Sequence, residues 1–165
     1  MGASSADAGH LVVAVVLTYV LGFERDLRGG AAGDRVFALV GAGSGVIGII
    51  AAHGAPNVLA GAITGIGFIG GGLVFHQALG KQQVVMGLTT AAAIFSATAI
   101  GAAAGQGRLL IATVATALSL FVLEIRHVPG LNMLDGRRWA SRFDNDEHFN
   151  DDNDHAAPDI PPRDQ

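Results

Sequence analysis

Apolar runs and short polar breaks alternate five times along the first 125 positions. The runs are Leu11–Phe23, Val36–Ala52, Val58 to about Phe75, Val84–Ala104 and Leu109–Ile125. A helix needs about 20 apolar residues to cross a hydrocarbon core of about 30 Å, so the first run is extended toward Ala3. The breaks carry turn chemistry: His53-Gly54-Ala55-Pro56-Asn57, the polar link His76–Gln83, and Gly105-Gln106-Gly107-Arg108. The pattern predicts an all-α fold, a polytopic membrane bundle of about five transmembrane helices over residues 4–23, 36–52, 58–75, 84–104 and 109–125. The first run is not read as a signal peptide. No Lys or Arg precedes it, and it ends in Glu24-Arg25 before further apolar segments.

Composition sharpens this picture. Half of the residues are hydrophobic and only 15% are charged, against about 25% in globular domains. With no cysteine, disulfides and thiolate metal sites are excluded. The net charge of −4 joins two unlike parts. Residues 1–142 hold nine Lys/Arg against six Asp/Glu, and residues 143–165 hold one against eight. We expect a transmembrane domain over 1–127, a basic juxtamembrane segment over 128–143 and a disordered acidic tail over 144–165. With five spans and the N-terminus outside, Arg25, Arg28, Arg35, Lys81, Arg126, Arg137, Arg138, Arg142 and Arg163 fall on one side, leaving Arg108 on the other. That asymmetry predicts a periplasmic N-terminus and a cytoplasmic C-terminus.

The segment Gly61–Gly72, GAITGIGFIGGG, carries six glycines in twelve residues. Each would cost about 1 kcal/mol relative to alanine in an ordinary helix, so missing side chains must bring a gain. Gly65, Gly67 and Gly70 satisfy the dinucleotide pattern G-x-G-x-x-G, but that fingerprint needs a following acidic residue. None occurs between Val36 and Leu123. The spacing of small residues four apart fits helix packing in a membrane better. Gly41/Gly45, Gly61/Gly65, Gly67/Gly71 and Gly101/Gly105 all show it.

Chemistry concentrates in GFERDLRGGAAGDR, residues 22–35. Glu24 follows an apolar helix directly and is four residues from Arg28, a natural helical partner. An uncompensated charge inside a membrane costs about 2.5–3.5 kcal/mol, so such groups pair or face protein. Leu131–Phe143 mixes Trp139 and aliphatic residues with Arg137, Arg138 and Arg142, as segments lying on a lipid surface do. The tail's Asp and His side chains could hold divalent cations loosely, without the spacing of an EF-hand loop. No catalytic set can be assembled from the membrane segments, and no enzyme activity, cofactor, metal centre or nucleic-acid partner is expected.

These segments resemble the MgtC/SapB family of bacterial inner-membrane proteins. The resemblance runs through GFERDLRGGAAGDR, TGIGFIGGG and GLTTAAAIFSATAIGAAAGQG, covering residues 22–107. It carries the family's motif onto Glu24, Arg25, Arg28, Gly33, Arg35, Gly65, Gly67, Phe68, Gly70, Gly72, Gly87, Leu88, Thr89, Thr90 and Gly101. Three departures stand out. The Arg and Gln usual before Gly65 are missing, Asp34 replaces a common Leu, and Phe95 stands where Trp is usual. The tail is too short and polar to form the cytoplasmic regulatory domain of the longer members.

The resemblance implies a role in growth or survival when magnesium is scarce, and some members act by binding other membrane proteins, the ATP synthase among them. The expectation is therefore a non-enzymatic regulator, with the lipid bilayer and a membrane-protein partner or second copy as its contacts. The alternative is a transporter or channel for magnesium or another small solute. Magnesium prefers oxygen ligands, usually including carboxylates, and the stretch Val36–Leu123 has none of these acids.

Overall fold

A computed structural model describes residues 4–76 and 87–125. They form five α-helices: α1 (Ser5–Leu27), α2 (Asp34–Ala52), α3 (Val58–His76), α4 (Leu88–Gly105) and α5 (Leu109–Glu124). Among the described residues there is no strand. α1, α2 and α4 are long and apolar enough to cross a membrane; α3 and α5 provide shorter apolar stretches. At 1.5 Å per residue α1 spans about 35 Å.

Local sequence explains where each helix starts and stops. Ser4 and Asp7 close a capping box, with the Asp7 N–H donating to Ser4 Oγ at 3.2 Å and the Ser4 N–H to Asp7 Oδ2 at 2.9 Å. α1 runs past Phe23, so Glu24, Arg25 and Asp26 are helical residues and not loop residues. It stops at Gly29, whose φ of +67° is the left-handed conformation that ends many helices, and the Gly30 N–H donates to the Arg25 carbonyl at 2.7 Å. Between α4 and α5 the turn is only Gln106-Gly107-Arg108, closed by Gly107 at φ +76°.

The helices pack through small residues. α1 and α2 run antiparallel, and α4 lies against both as the most buried element, with Ala93, Ile94, Ala97, Ile100 and Ala104 in the core. At Gly45 an added Cβ would lie 2.9 Å from Ala14 Cβ, and at Gly105 one would lie 3.0 Å from Gly45 Cα. One at Gly48 would lie 3.0 Å from Ala102 Cα, and one at Gly101 3.2 Å from Gly41 Cα. This is backbone-to-backbone packing of the kind small residues permit in lipid. The outer surface is the apolar one: Leu39, Leu110 and Val122 are exposed. Exposed apolar residues on several faces are unusual for a soluble protein and suit contact with acyl chains.

α3 is the exception. It rests mainly on α4, and Ile66 is its buried side chain among those described. Residues 77–86, between α3 and α4, lie outside the described residues and include the first three positions of the expected span 84–104. The juxtamembrane and tail segments, from 126 onward, lie outside them too.

Candidate functional site

The charged segment forms one end of the bundle, built from the last turns of α1, the loop 28–33 and the first turn of α2. Its closeness depends on two glycines. A Cβ on Gly22 would lie 2.6 Å from Phe37 Cβ and 2.7 Å from Asp34 Cα. One on Gly33, the residue capping α2, would lie 2.8 Å from Asp26 Cγ. α1 therefore meets the start of α2 with no side chain between them.

This approach buries Glu24 and Arg25, which are 6% and 9% exposed. Arg25 Nε lies 2.9 Å from Glu24 Oε2, and the guanidinium donates a longer hydrogen bond of 3.5 Å to Oε1. The two side chains leave adjacent positions on the helix, so the guanidinium meets the carboxylate at an angle. The 2.9 Å contact is an ion pair without hydrogen-bond alignment, and among the described residues no hydrogen bond satisfies those two atoms. A buried charge pair of this kind holds together because neither partner can be left alone.

Around the pair the remaining charges face outward. Asp26, Arg28 and Arg35 are exposed. Asp34 accepts the Arg35 N–H at 2.6 Å and is hydrogen-bonded by the Tyr19 side chain. Asp26, Gly33, Asp34, Arg35 and Val36 line an open cavity of about 410 Å³. Two carboxylates border that cavity, and among the described residues no three metal-ligating side chains come together. His10 and His53 stand at the opposite end, where His53 Nε2 is 3.8 Å from Asp7 Oδ2.

The other motif residues divide between α3 and α4. Gly87, at φ +91°, caps α4; Leu88 and Thr89 after it are exposed, while Thr90 is buried. Gly101 lies in the α2–α4 contact with Gly41, Gly45 and Gly105. On α3 the picture reverses. Around Gly61, Gly65, Gly67 and Gly71 an added Cβ would meet no other described residue, and one on Gly70 would make only an ordinary contact with Ala91 Cβ at 3.6 Å. Phe68 is 85% exposed. The glycine-rich helix thus presents most of its bare backbone away from the rest of the described chain.

Four buried hydroxyls donate to backbone carbonyls of their own helices. Thr18 donates to the Ala14 carbonyl at 2.8 Å, Ser44 to Val40 at 2.7 Å, Thr98 to Ile94 at 3.0 Å and Thr116 to Ala112 at 2.9 Å. Each bonds its own helix one turn back. Thr64 on α3 does the same with Ala60 at 3.0 Å. Four close-packing positions, Gly22, Gly30, Gly48 and Ser44, carry no signal in a four-residue spacing search of glycine pairs. Gly48 could have been found by its position three residues after Gly45.

Fold and surface together define a polytopic helical membrane protein. The family model for MgtC matches residues 11–129, and the chain belongs to the MgtC family. It is 35% identical over 131 residues to the putative magnesium transporter YhiD of Escherichia coli K12, covering 72% of this chain and 59% of that protein. It is 33% identical over 123 residues to the protein MgtC of Brucella abortus, covering 72% of this chain and 49% of the relative. Identity to protein SrpB of Synechococcus elongatus is 32% over 130 residues, covering 70% and 71% of the two chains. The matches thus span about half to three-fifths of the first two relatives. No solved structure matches the chain.

Proposed function

We propose that the chain is a non-enzymatic regulator in a bacterial inner membrane, acting on another membrane protein during adaptation to low magnesium or ion stress. The observation that carries this reading is α3. Gly61, Gly65, Gly67 and Gly71 meet no other described part of the chain, whereas Gly45 and Gly48 of α2 and Gly101 and Gly105 of α4 lie in a close α2–α4 contact. A helix with bare backbone facing lipid lets a partner's transmembrane helix approach closely. The buried Glu24–Arg25 pair then fixes the end of α1 and the charged loop, through which a docked partner is sensed. Orientation follows the positive charges, with the N-terminus periplasmic and the C-terminus cytoplasmic.

A transport reading competes, and one observation favours it: Asp26 and Asp34 border one open cavity at the charged end. Magnesium keeps several waters and needs only one or two carboxylates, so such a mouth could receive it. Against it, no Asp or Glu occurs between Val36 and Leu123, so no carboxylate continues a path beyond the mouth. Magnesium and potassium flux into proteoliposomes decides between the two. The regulator reading expects flux no greater than that of empty vesicles. Flux above that of empty vesicles, abolished by an Asp26→Asn/Asp34→Asn variant that alters the cavity and spares the buried pair, would make the charged end an entry site and overturn it.

A further inference from the structure

At the bundle end opposite Glu24, a groove of about 220 Å³ opens between α3, α4 and the start of α5. Its floor is small, made by Ala62, Ala99 and Ala103, and Ile63, Phe95 and Ile111 rise beside it as exposed apolar walls. At the mouth stand Gln106 and Arg108. The described residues contain four Lys/Arg, and the other three, Arg25, Arg28 and Arg35, lie in the charged segment at the far end. No acidic side chain lines the groove among the described residues. Arg108 is exposed, and the tight turn fixes its position, with its N–H donating to the Ala103 carbonyl at 2.9 Å.

We propose that this groove binds one anionic phospholipid, with an acyl chain against the alanine floor and the headgroup phosphate at Arg108. Charge complementarity and the small-residue floor favour this occupant. A cation set where the helices meet the headgroup region attracts an anionic lipid, and Gln106 adds a second donor beside it. The recessed apolar floor holds the chain more closely than a convex helix surface would. A zwitterionic lipid fills the groove equally well but gains less from Arg108, because its quaternary ammonium offsets the charge of its phosphate.

The test places a reporter in the groove. Phe95→Trp is introduced in a Trp139→Phe background, which removes the single native tryptophan. The protein is reconstituted in phosphatidylcholine vesicles containing a small fraction of brominated lipid, either phosphatidylglycerol or phosphatidylcholine. Brominated phosphatidylglycerol should be enriched at the position-95 reporter about fivefold, the factor expected from one arginine near a membrane surface. Arg108→Gln should abolish the preference, and Arg108→Lys should retain most of it. Ala103→Phe, which fills the groove while leaving Arg108, should reduce quenching by both lipids. Equal quenching in the reporter protein, or a preference that survives Arg108→Gln, overturns the proposal. Quenching unchanged by Ala103→Phe also overturns it, since the headgroup alone would then be recognised.

Discussion

Removing the charge of Glu24 while keeping its shape should destabilise the fold far more than an exposed charge change would. In Glu24→Gln the buried Arg25 side chain, 11% exposed in the parent, loses its counter-charge at 2.9 Å. At 2.9 Å and an effective dielectric of about 20, the lost attraction is about 6 kcal/mol before solvation is counted. Arg25 recovers part of this by moving toward the headgroups, and breaking a buried pair by removing one partner typically costs about 3–5 kcal/mol. For a chain of this size that corresponds to a melting shift of about 6–20 °C. The paired variant Glu24→Gln/Arg25→Met removes both charges and should recover most of the loss, because the pair itself is close to neutral against apolar replacements. Thermal unfolding of the parent, the two single variants and the double variant in one detergent, followed by circular dichroism, measures the double-mutant cycle. If Glu24→Gln lies within about 1 kcal/mol of the parent, Arg25 is solvated without its partner and the buried-pair account is wrong.

Gly48→Ala sets a Cβ against the Ala102 backbone, which cannot rotate away, and should cost about 1–3 kcal/mol in the same unfolding assay. Gly65→Ala meets no other described residue and should leave stability unchanged or raise it by up to about 1 kcal/mol, since alanine favours helix. Gly65→Leu should likewise keep the fold while weakening capture of a membrane-protein partner, read by co-purification from cells. Ser4→Ala opens the capping box and should cost about 1 kcal/mol, seen as faster hydrogen exchange confined to the first turn of α1.

Much of this architecture is legible in the chain itself. Five apolar runs with Gly, Pro and charge between them give five helices, because spans and breaks in a membrane protein are both strong compositional signals. The end of α1 is less legible. An apolar run ends at Phe23, yet the helix continues four residues, since Glu24 and Arg25 compensate each other and Gly29 supplies the stop. Sequence suggests Arg28 as the partner of Glu24 by helical spacing; the structure sets Arg25 against it, a choice governed by rotamers and burial that spacing does not encode. Glycine spacing also has a limit. Gly41/Gly45 and Gly61/Gly65 look alike along the chain, but the first pair meets α1 and α4 and the second meets nothing among the described residues. Which glycine pairs close on each other is decided by three-dimensional register. The four-residue glycine spacings of this chain are therefore of at least two physically different kinds.

The claim that α3 is a docking face is tested most directly by photo-crosslinking in living cells. A photoreactive residue replaces Phe68, on the glycine-rich helix, or Leu39, an apolar control that is 74% exposed on α2. The account predicts one discrete protein adduct from position 68, absent from position 39 and lost when Gly65→Leu is added. Indistinguishable diffuse labelling from both positions would show that α3 faces only lipid, and an adduct indifferent to Gly65→Leu would show that a partner does not meet the bare glycine backbone; either result contradicts the account.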